Sequence, residues 1–247
     1  MAVDDPVWLV DLGTMEYEKA WHLQKKTAQA IWSEGGPEVL YLVEHPPVYT
    51  IGRAAHGQQQ NVLWDEVKRR AAGIQLFEVD RGGDATYHGP GQLVAYPILD
   101  LGHRDQRDLH RYLRGLEEAV IDTLAEWSIA ARRLPPHTGV WVGEEKVAAI
   151  GVKASHWVTQ HGLALNLDPN LDHFTGIIPC GIRDLGVTAM AKLVQSPPSM
   201  EAVKGRLAYH LAEVLDLDLM AGGLADLERA WAAPPTQAVI SRGGRRG

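Results

Sequence analysis

Cysteine is almost absent from this chain, with a single thiol, Cys180, among 247 residues. One thiol excludes an internal disulfide, and no Cys/His spacing resembles a structural zinc site. Basic residues are in deficit: 24 Lys and Arg against 31 Asp and Glu give a net charge of −7. A general nucleic-acid binder would show a clustered basic excess instead. No uncharged apolar run approaches the roughly 20 residues needed to span a bilayer. The opening MAVDDPVWLVDLG carries early acids and no long apolar core, so it does not read as a signal peptide. These absences point to a reducing cytoplasm, with no membrane and no nucleic acid as partner.

What is present is an ordinary globular composition, 45% hydrophobic and 22% charged. A chain of this length buries one substantial core without requiring a second. Residues 1–240 read as one domain, and 241–247 (SRGGRRG) as a small, basic, flexible tail. Helical spacing of apolar residues runs from Tyr17 to Trp32, from about Val62 to Ala72, from about Gln106 to Trp127 and from about Ser199 to Leu215. Strand-like segments are EVLYLVEH, VYTIGR, IQLFEV, LVAYPILDL, GVWVG, KVAAIGVKASHWV and HGLALNLD. Helices and strands intersperse without regular βαβ alternation, which predicts an α+β fold around a mixed β-sheet flanked by helices.

Two segments stand out chemically. RGGDATYHGPGQ, residues 81–92, holds four glycines and a proline, so its backbone can turn sharply and approach a ligand closely. It lacks both the lysine-serine/threonine ending of a phosphate loop and the G-x-G-x-x-G spacing of a dinucleotide site. An acyl or carboxamide ligand held by backbone amides suits it better.

The second segment is TGIIPCGIRDLG. A lone cysteine is ordinarily a small buried hydrophobe. The flanking Pro179 and Gly181 make Cys180 a turn residue, however, and Gly181 and Ile182 offer N–H groups to a developing oxyanion. A thiol with an ordinary pKa of about 8.5 is only a few per cent ionised at pH 7 and needs an activating partner. His88 and His161, each followed by glycine, are two candidates, although the ordinary role of either alone is structural. Lys146 is a third: on spacing alone it is a solvated residue after the Glu144-Glu145 turn, but apolar neighbours along its strand can desolvate it. A desolvated lysine serves as a base or as the counter-ion of a thiolate. Spacing alone does not choose among the three.

RGGDATYHGPGQLVAYPILDL, GVWVGEEKVAAIGV, HGLALNL and IIPCGI together resemble the lipoyl(octanoyl) transferases in order and spacing, over nearly the whole chain. The Pro-Cys-Gly element, 34 residues beyond the lysine, separates that family from the related lipoate and biotin ligases. One departure is GVTAM, where Ala189 stands in place of a frequent serine.

The resemblance implies a biotin/lipoate protein ligase-like fold with a lipid-sized tunnel. It implies Cys180 as acyl-thioester nucleophile and Lys146 as the group that favours its thiolate. Acyl-substrate contacts carry over to Arg81, Gly82, Gly83, Asp84, Ala85, Thr86, Tyr87 and His88, to Ala149, Ile150 and Gly151, and to Gly162, Leu163 and Ala164. The implied donor is octanoyl-acyl carrier protein. The implied acceptors are lipoyl domains of 2-oxoacid dehydrogenase complexes and the glycine cleavage H protein, with neither ATP nor a metal as cofactor. His88 and His161 then become positioning residues.

Such protein partners are generally acidic, so docking on a chain of charge −7 calls for local basic patches; Arg53, Lys68, Arg69, Arg70, Arg132 and Arg133 are candidates. Charge reversal across Lys68–Arg70 is expected to raise KM for the carrier protein and to spare kcat in steady-state assays. An unchanged KM would remove that patch from the docking surface.

Overall fold

The computed structural model describes residues 6–57, 61–178 and 185–232. Cys180, its neighbours Gly181 and Ile182, and the 241–247 tail lie outside the described residues. The first strand, β1 (Val7–Thr14), is not among those read from the sequence, because Asp11 and Gly13 interrupt its alternation. Helix α1 (Tyr17–Glu34) crosses from β1 to β2 (Val39–Glu44), which runs parallel to it. The EGG stop works as expected, with Gly35 closing α1 in the left-handed region at φ 63°.

The chain continues through β3 (Val48–Ile51), α2 (Glu66–Ala71), β4 (Gln75–Glu78), β5 (Ala85–His88) and β6 (Gln92–Ile98). Helix α3 (Leu109–Ala125) precedes β7 (Arg132–Leu134), β8 (His137–Val142), β9 (Glu145–Ser155) and β10 (Val158–Asn166). Then come β11 (Gly186–Val187), α4 (Met190–Leu193), α5 (Met200–Leu215), β12 (Leu219–Ala221) and α6 (Leu224–Ala232).

Three boundaries differ from expectation, each for a local reason. α2 begins at Glu66 because the Asp65 carboxylate caps it, accepting from Lys68 N at 2.8 Å. Val62 instead bridges to Ile177. α3 begins at Leu109 because Asp108 accepts from Arg111 N at 3.0 Å. Within the glycine-rich stretch, Ala85–His88 is a strand that pairs antiparallel with β3.

The main sheet runs in the order β12-β1-β2-β6-β10-β9-β8-β7, with β11 added parallel to β9. A second sheet has the order β4-β3-β5. On one face of the main sheet, Leu40, Leu42, Leu93 and Leu165 pack against Leu116, Val120 and Leu124 of α3 and Val203, Leu207 and Leu211 of α5. The alternate positions Tyr41, Val43, Val94, Tyr96 and Ala164 face α1, where Ala20, Ala28 and Ile31 cover them. The expectation of a mixed sheet flanked by helices holds. Among the described residues no helix is long and apolar enough to cross a membrane.

A buried ion pair joins three separate parts of this frame. Arg104 pairs with Glu38, with side chains only 8% and 11% exposed. Glu38 Oε1 also accepts from Asp100 N at 2.6 Å, and Arg104 Nη1 donates to Asp216 O at 3.1 Å, where α5 ends. Removing one partner of such a pair leaves the other charged and unpaired in a dry setting. Glu38→Ala is therefore expected to lower unfolding stability by roughly 3–5 kcal/mol, read as a lower urea midpoint; a midpoint within error of wild type would contradict this account.

Candidate active site

The lysine side chain of β9 is placed by an irregularity in pairing. Val140 of β8 lies opposite Ala148, but Trp141 lies opposite Lys146, so Val147 is an extra residue without a partner. This is a β-bulge, and it reverses the in–out alternation of the strand. Val147 and Ala148 both belong to the α3–α5 core. Lys146, directly across from Trp141, therefore faces the opposite side, together with Ala149, Gly151 and Lys153. Lys146 is 6% exposed, so the expectation of a solvated residue is overturned. Its Nζ lies 4.8 Å from the centroid of the Trp141 ring.

Beyond Lys146 the same face is lined by small residues. Gly162 pairs with Gly151 and Ala164 with Ala149, giving a two-by-two block without bulk. A Cβ at Gly162 would lie 2.1 Å from the carbonyl oxygen of Ala95, so the strands close together only over glycine. The glycine-rich loop rests on this block: Gly82 N donates to Val152 O at 2.8 Å, and a Cβ at Gly151 would meet Arg81 Cδ at 3.1 Å. The three segments named from the sequence as acyl contacts thus come together. Not all of their side chains share the face, however. Leu163 and Ile150 pack with the α3–α5 core, and Tyr87 turns into a separate cluster with Tyr49, Ile74 and Phe174.

Polar members of the loop are mostly committed to holding it. Arg81 Nη2 donates to Thr50 O at 2.8 Å and to Thr50 Oγ1 at 2.9 Å, and Nη1 donates to Gly82 O at 2.9 Å. Asp84 accepts from the amide of Ala85 at 2.6 Å and from Asn61 Nδ2. Tyr87 hydroxyl meets His173 Nδ1 at 2.9 Å, and Tyr49 hydroxyl donates to His173 O at 2.5 Å. These contacts pin the 3₁₀ turn Leu171–Gly176, from which the chain leads to Cys180. On the far side, β11 pairs Val187 with Lys146, and Thr188 N donates to Lys146 O at 3.0 Å. The described residues nearest Cys180 in sequence are therefore tied to the tyrosine cluster on one side and to Lys146 on the other.

The two histidines part company. His88 is buried and stacked on Tyr17, with its Nδ1 2.7 Å from Gln92 Oε1. Gln92 Nε2 is already donating to Tyr87 O and Asn166 Oδ1, so its oxygen must accept, and His88 carries its proton on Nδ1. Asn166 in turn donates to Thr188 O at 2.9 Å, completing a buried chain of hydrogen bonds from His88 to the residue just after β11. His161 lies opposite Val152, six residues along β9 from Lys146, or roughly 20 Å at the usual strand rise. Its Nε2 donates to Asp80 at 2.9 Å, and Lys153 Nζ donates to the other Asp80 oxygen at 2.7 Å. Burial holds His161 below its ordinary value despite the neighbouring Asp80, while the His161 and Lys153 donors hold the Asp80 carboxyl well below the usual range. His161 and Lys146 are not brought together.

Sequence reasoning missed Trp141, Asn166, Thr188, His45 and Asp80. The bulge that makes Trp141 relevant has no periodic signature. Asn166 carried a weak signal, as a polar residue ending the buried run HGLAL. A cavity of about 270 Å³ lies on the other side of the sheet, lined by Arg111, Arg114 and Val214 among others, away from the face that carries Lys146.

Residues 16–212 match a family model described as the lipoyl protein ligase A/B catalytic domain. An octanoyltransferase of Geobacter metallireducens is 46% identical over 206 residues, covering 83% of this chain and 92% of that protein. One of Solibacter usitatus is 46% identical over 215 residues, covering 87% and 95%. A bi-partite lipoate protein ligase of Thermoplasma acidophilum superposes with a TM-score of 0.67 at 19% identity, covering 92% of this chain and 90% of that one; this is a likeness of fold.

His45 extends the neutral cluster. Its Nδ1 donates to Met15 O at 2.7 Å and its Nε2 accepts from Tyr96 hydroxyl at 2.8 Å. Burial pulls His45 down to about 4, and burial together with the neighbouring His45 pulls His88 down to about 3. Both rings stay neutral when folded but protonate near 6.5 when unfolded. Their contribution is therefore intact above pH 6.5 and is lost as pH falls toward 4 and 3, by at most about 1.4 kcal/mol per pH unit for each ring. The urea midpoint is expected to fall between pH 7 and 5, and less steeply in His88→Gln. A flat wild-type profile would show that these rings are not held neutral.

Proposed function

The chain belongs to the lipoyl protein ligase A/B catalytic-domain family, and from that premise we propose that it is an octanoyltransferase, an acyltransferase of lipoate biosynthesis, as its curated relatives are named. In this reading the donor is octanoyl-acyl carrier protein. The acceptors are lysines of lipoyl domains on 2-oxoacid dehydrogenase complexes and the glycine cleavage H protein. The reacting residues fall within one domain spanning 1–240.

The Cys180 thiolate attacks the donor thioester carbonyl. The carrier thiolate leaves and takes a proton, and the octanoyl group remains on Cys180 as a thioester. The ε-amine of the acceptor lysine then attacks that carbonyl, forming an amide and returning the thiol. The first exchange replaces one thioester by another and needs no ATP; the second runs downhill to an amide. Lys146 stands as counter-ion to the thiolate and as proton carrier for the departing and entering groups. The block of Ala149, Gly151, Gly162 and Ala164 forms the floor on which the acyl chain lies, since a saturated chain needs an apolar slot without obstructing side chains.

One observation carries this reading: the bulge at Val147 turns Lys146 onto the small-residue face, where β11, the first strand after Cys180, pairs with it. A solvated lysine or a face of large side chains would have suited neither half of the chemistry.

The test is intact-mass analysis after mixing with octanoyl-acyl carrier protein. An octanoyl adduct, lost on hydroxylamine treatment and absent in Cys180→Ala, is the expected result. Octanoylated lipoyl domain formed from octanoate and ATP without the carrier would instead assign an ATP-dependent ligase. Absence of any adduct in the wild type would leave an acyl-binding module.

A further inference from the structure

The surroundings of Lys146 hold a second component that the proposed chemistry does not name. Trp141 is 1% exposed, yet it belongs to neither main-sheet core: Val140 and Val142 on either side of it turn toward α3 and α5. Its indole face lies instead 4.8 Å from Lys146 Nζ, within cation–π range. The indole N–H is buried without a hydrogen-bond partner among the described residues, so the ring acts here through its face.

The stem of the lysine is fixed as well. A Cβ at Gly139 would stand 3.3 Å from Lys146 Cε and 3.5 Å from Cδ, so the aliphatic chain lies against a residue that has no side chain. Gly139 has φ 123°, open to glycine and strained for other residues, and its amide donates to Glu117 Oε1 at 3.1 Å. Glu117, fully buried on α3, is itself fixed by Arg114 and by Arg133 Nε at 3.0 Å. A carboxylate on the far side of the sheet thus anchors the strand over which the lysine lies.

We propose that Trp141 is a positioning residue for the transfer reaction, holding the Lys146 ammonium against its indole face so that the charge stays available to the Cys180 thiolate. A buried ammonium loses much of its hydration, and an aromatic face replaces part of that stabilisation without supplying an anion that would compete with the thiolate. A carboxylate in the same place would neutralise the lysine, and an aliphatic side chain would offer its charge no electrostatic stabilisation. Tryptophan suits this role better than either.

The proposal rests on the assignment of Lys146 made above, and the test separates the two. Cys180 is the only cysteine, so alkylation of the full chain by iodoacetamide reports on one thiol without background. Its rate is followed by mass from pH 5 to 10 in wild type, Trp141→Met, Trp141→Phe and Lys146→Met. Trp141→Met is expected to slow alkylation at pH 7 roughly tenfold and to move the profile to higher pH, with the limiting rate at high pH unchanged. Trp141→Phe, which keeps an aromatic face, is expected to lie between the two.

A merely structural role would alter the limiting rate through exposure and leave the midpoint in place; that result overturns the proposal. So does a Trp141→Met profile matching wild type while Lys146→Met is displaced. A Lys146→Met profile matching wild type overturns the assignment of the lysine itself. Trp141→Leu replaces the methionine variant if circular dichroism shows that one to be unfolded.

Discussion

One extra residue in a strand governs the arrangement of this protein. A β-strand alternates its side chains strictly, so the face that Lys146 occupies depends on the number of residues between it and the core positions Ala148, Ile150 and Val152. Without the bulge at Val147, that parity would direct a charged lysine into the leucine-rich space under α3 and α5. With it, Lys146 joins Ala149 and Gly151 on the other face. The reversal sets Lys146 beside Trp141 and on the same face as the small-residue block, which the unbroken β9–β10 register builds.

The site also divides labour between its two ends. At one end, among the described residues, the Lys146 ammonium lies over the Trp141 ring. At the other end, Asp80, Lys153 and His161 form a closed polar group in which each charge or dipole has a partner. Between them lie Ala149, Gly151, Gly162 and Ala164, whose backbone groups are taken up in the sheet and which add little side chain. A face that is polar at one extremity, smooth in the middle and cationic at the other has a direction, and an acyl ligand with one reactive end has one too.

Much of this was legible from the sequence. Mixed helices and strands gave the α+β class, and the expected sheet flanked by helices is present. Ala149, Gly151, Gly162 and Ala164, which the resemblance implies as acyl contacts, pair across β9 and β10. Tyr87, Ile150 and Leu163 lay within the same motifs, but their side chains point elsewhere, because a linear motif does not say which of its residues face outward. For Lys146 spacing left solvation after the turn and desolvation along the strand both open; the register with β8 decides for burial. β1 was missed because an acid and a glycine mask its alternation. What escaped was in each case a matter of pairing, which the order of residues along one strand does not contain.

The hydrogen bonds on either side of Cys180 have a geometric consequence. Ile178 N bonds to Asn61 O, and Val62 bridges to Ile177, so one tie belongs to the segment leading into α2. The other is β11, stitched onto β9 of the main sheet. The two ties are thus built on separate parts of the frame, one on the approach to α2 and one on the main sheet. A substitution at Asn61 or Val62 therefore acts on one flank of the thiol, and a substitution at Glu145 or Lys146 acts on the other.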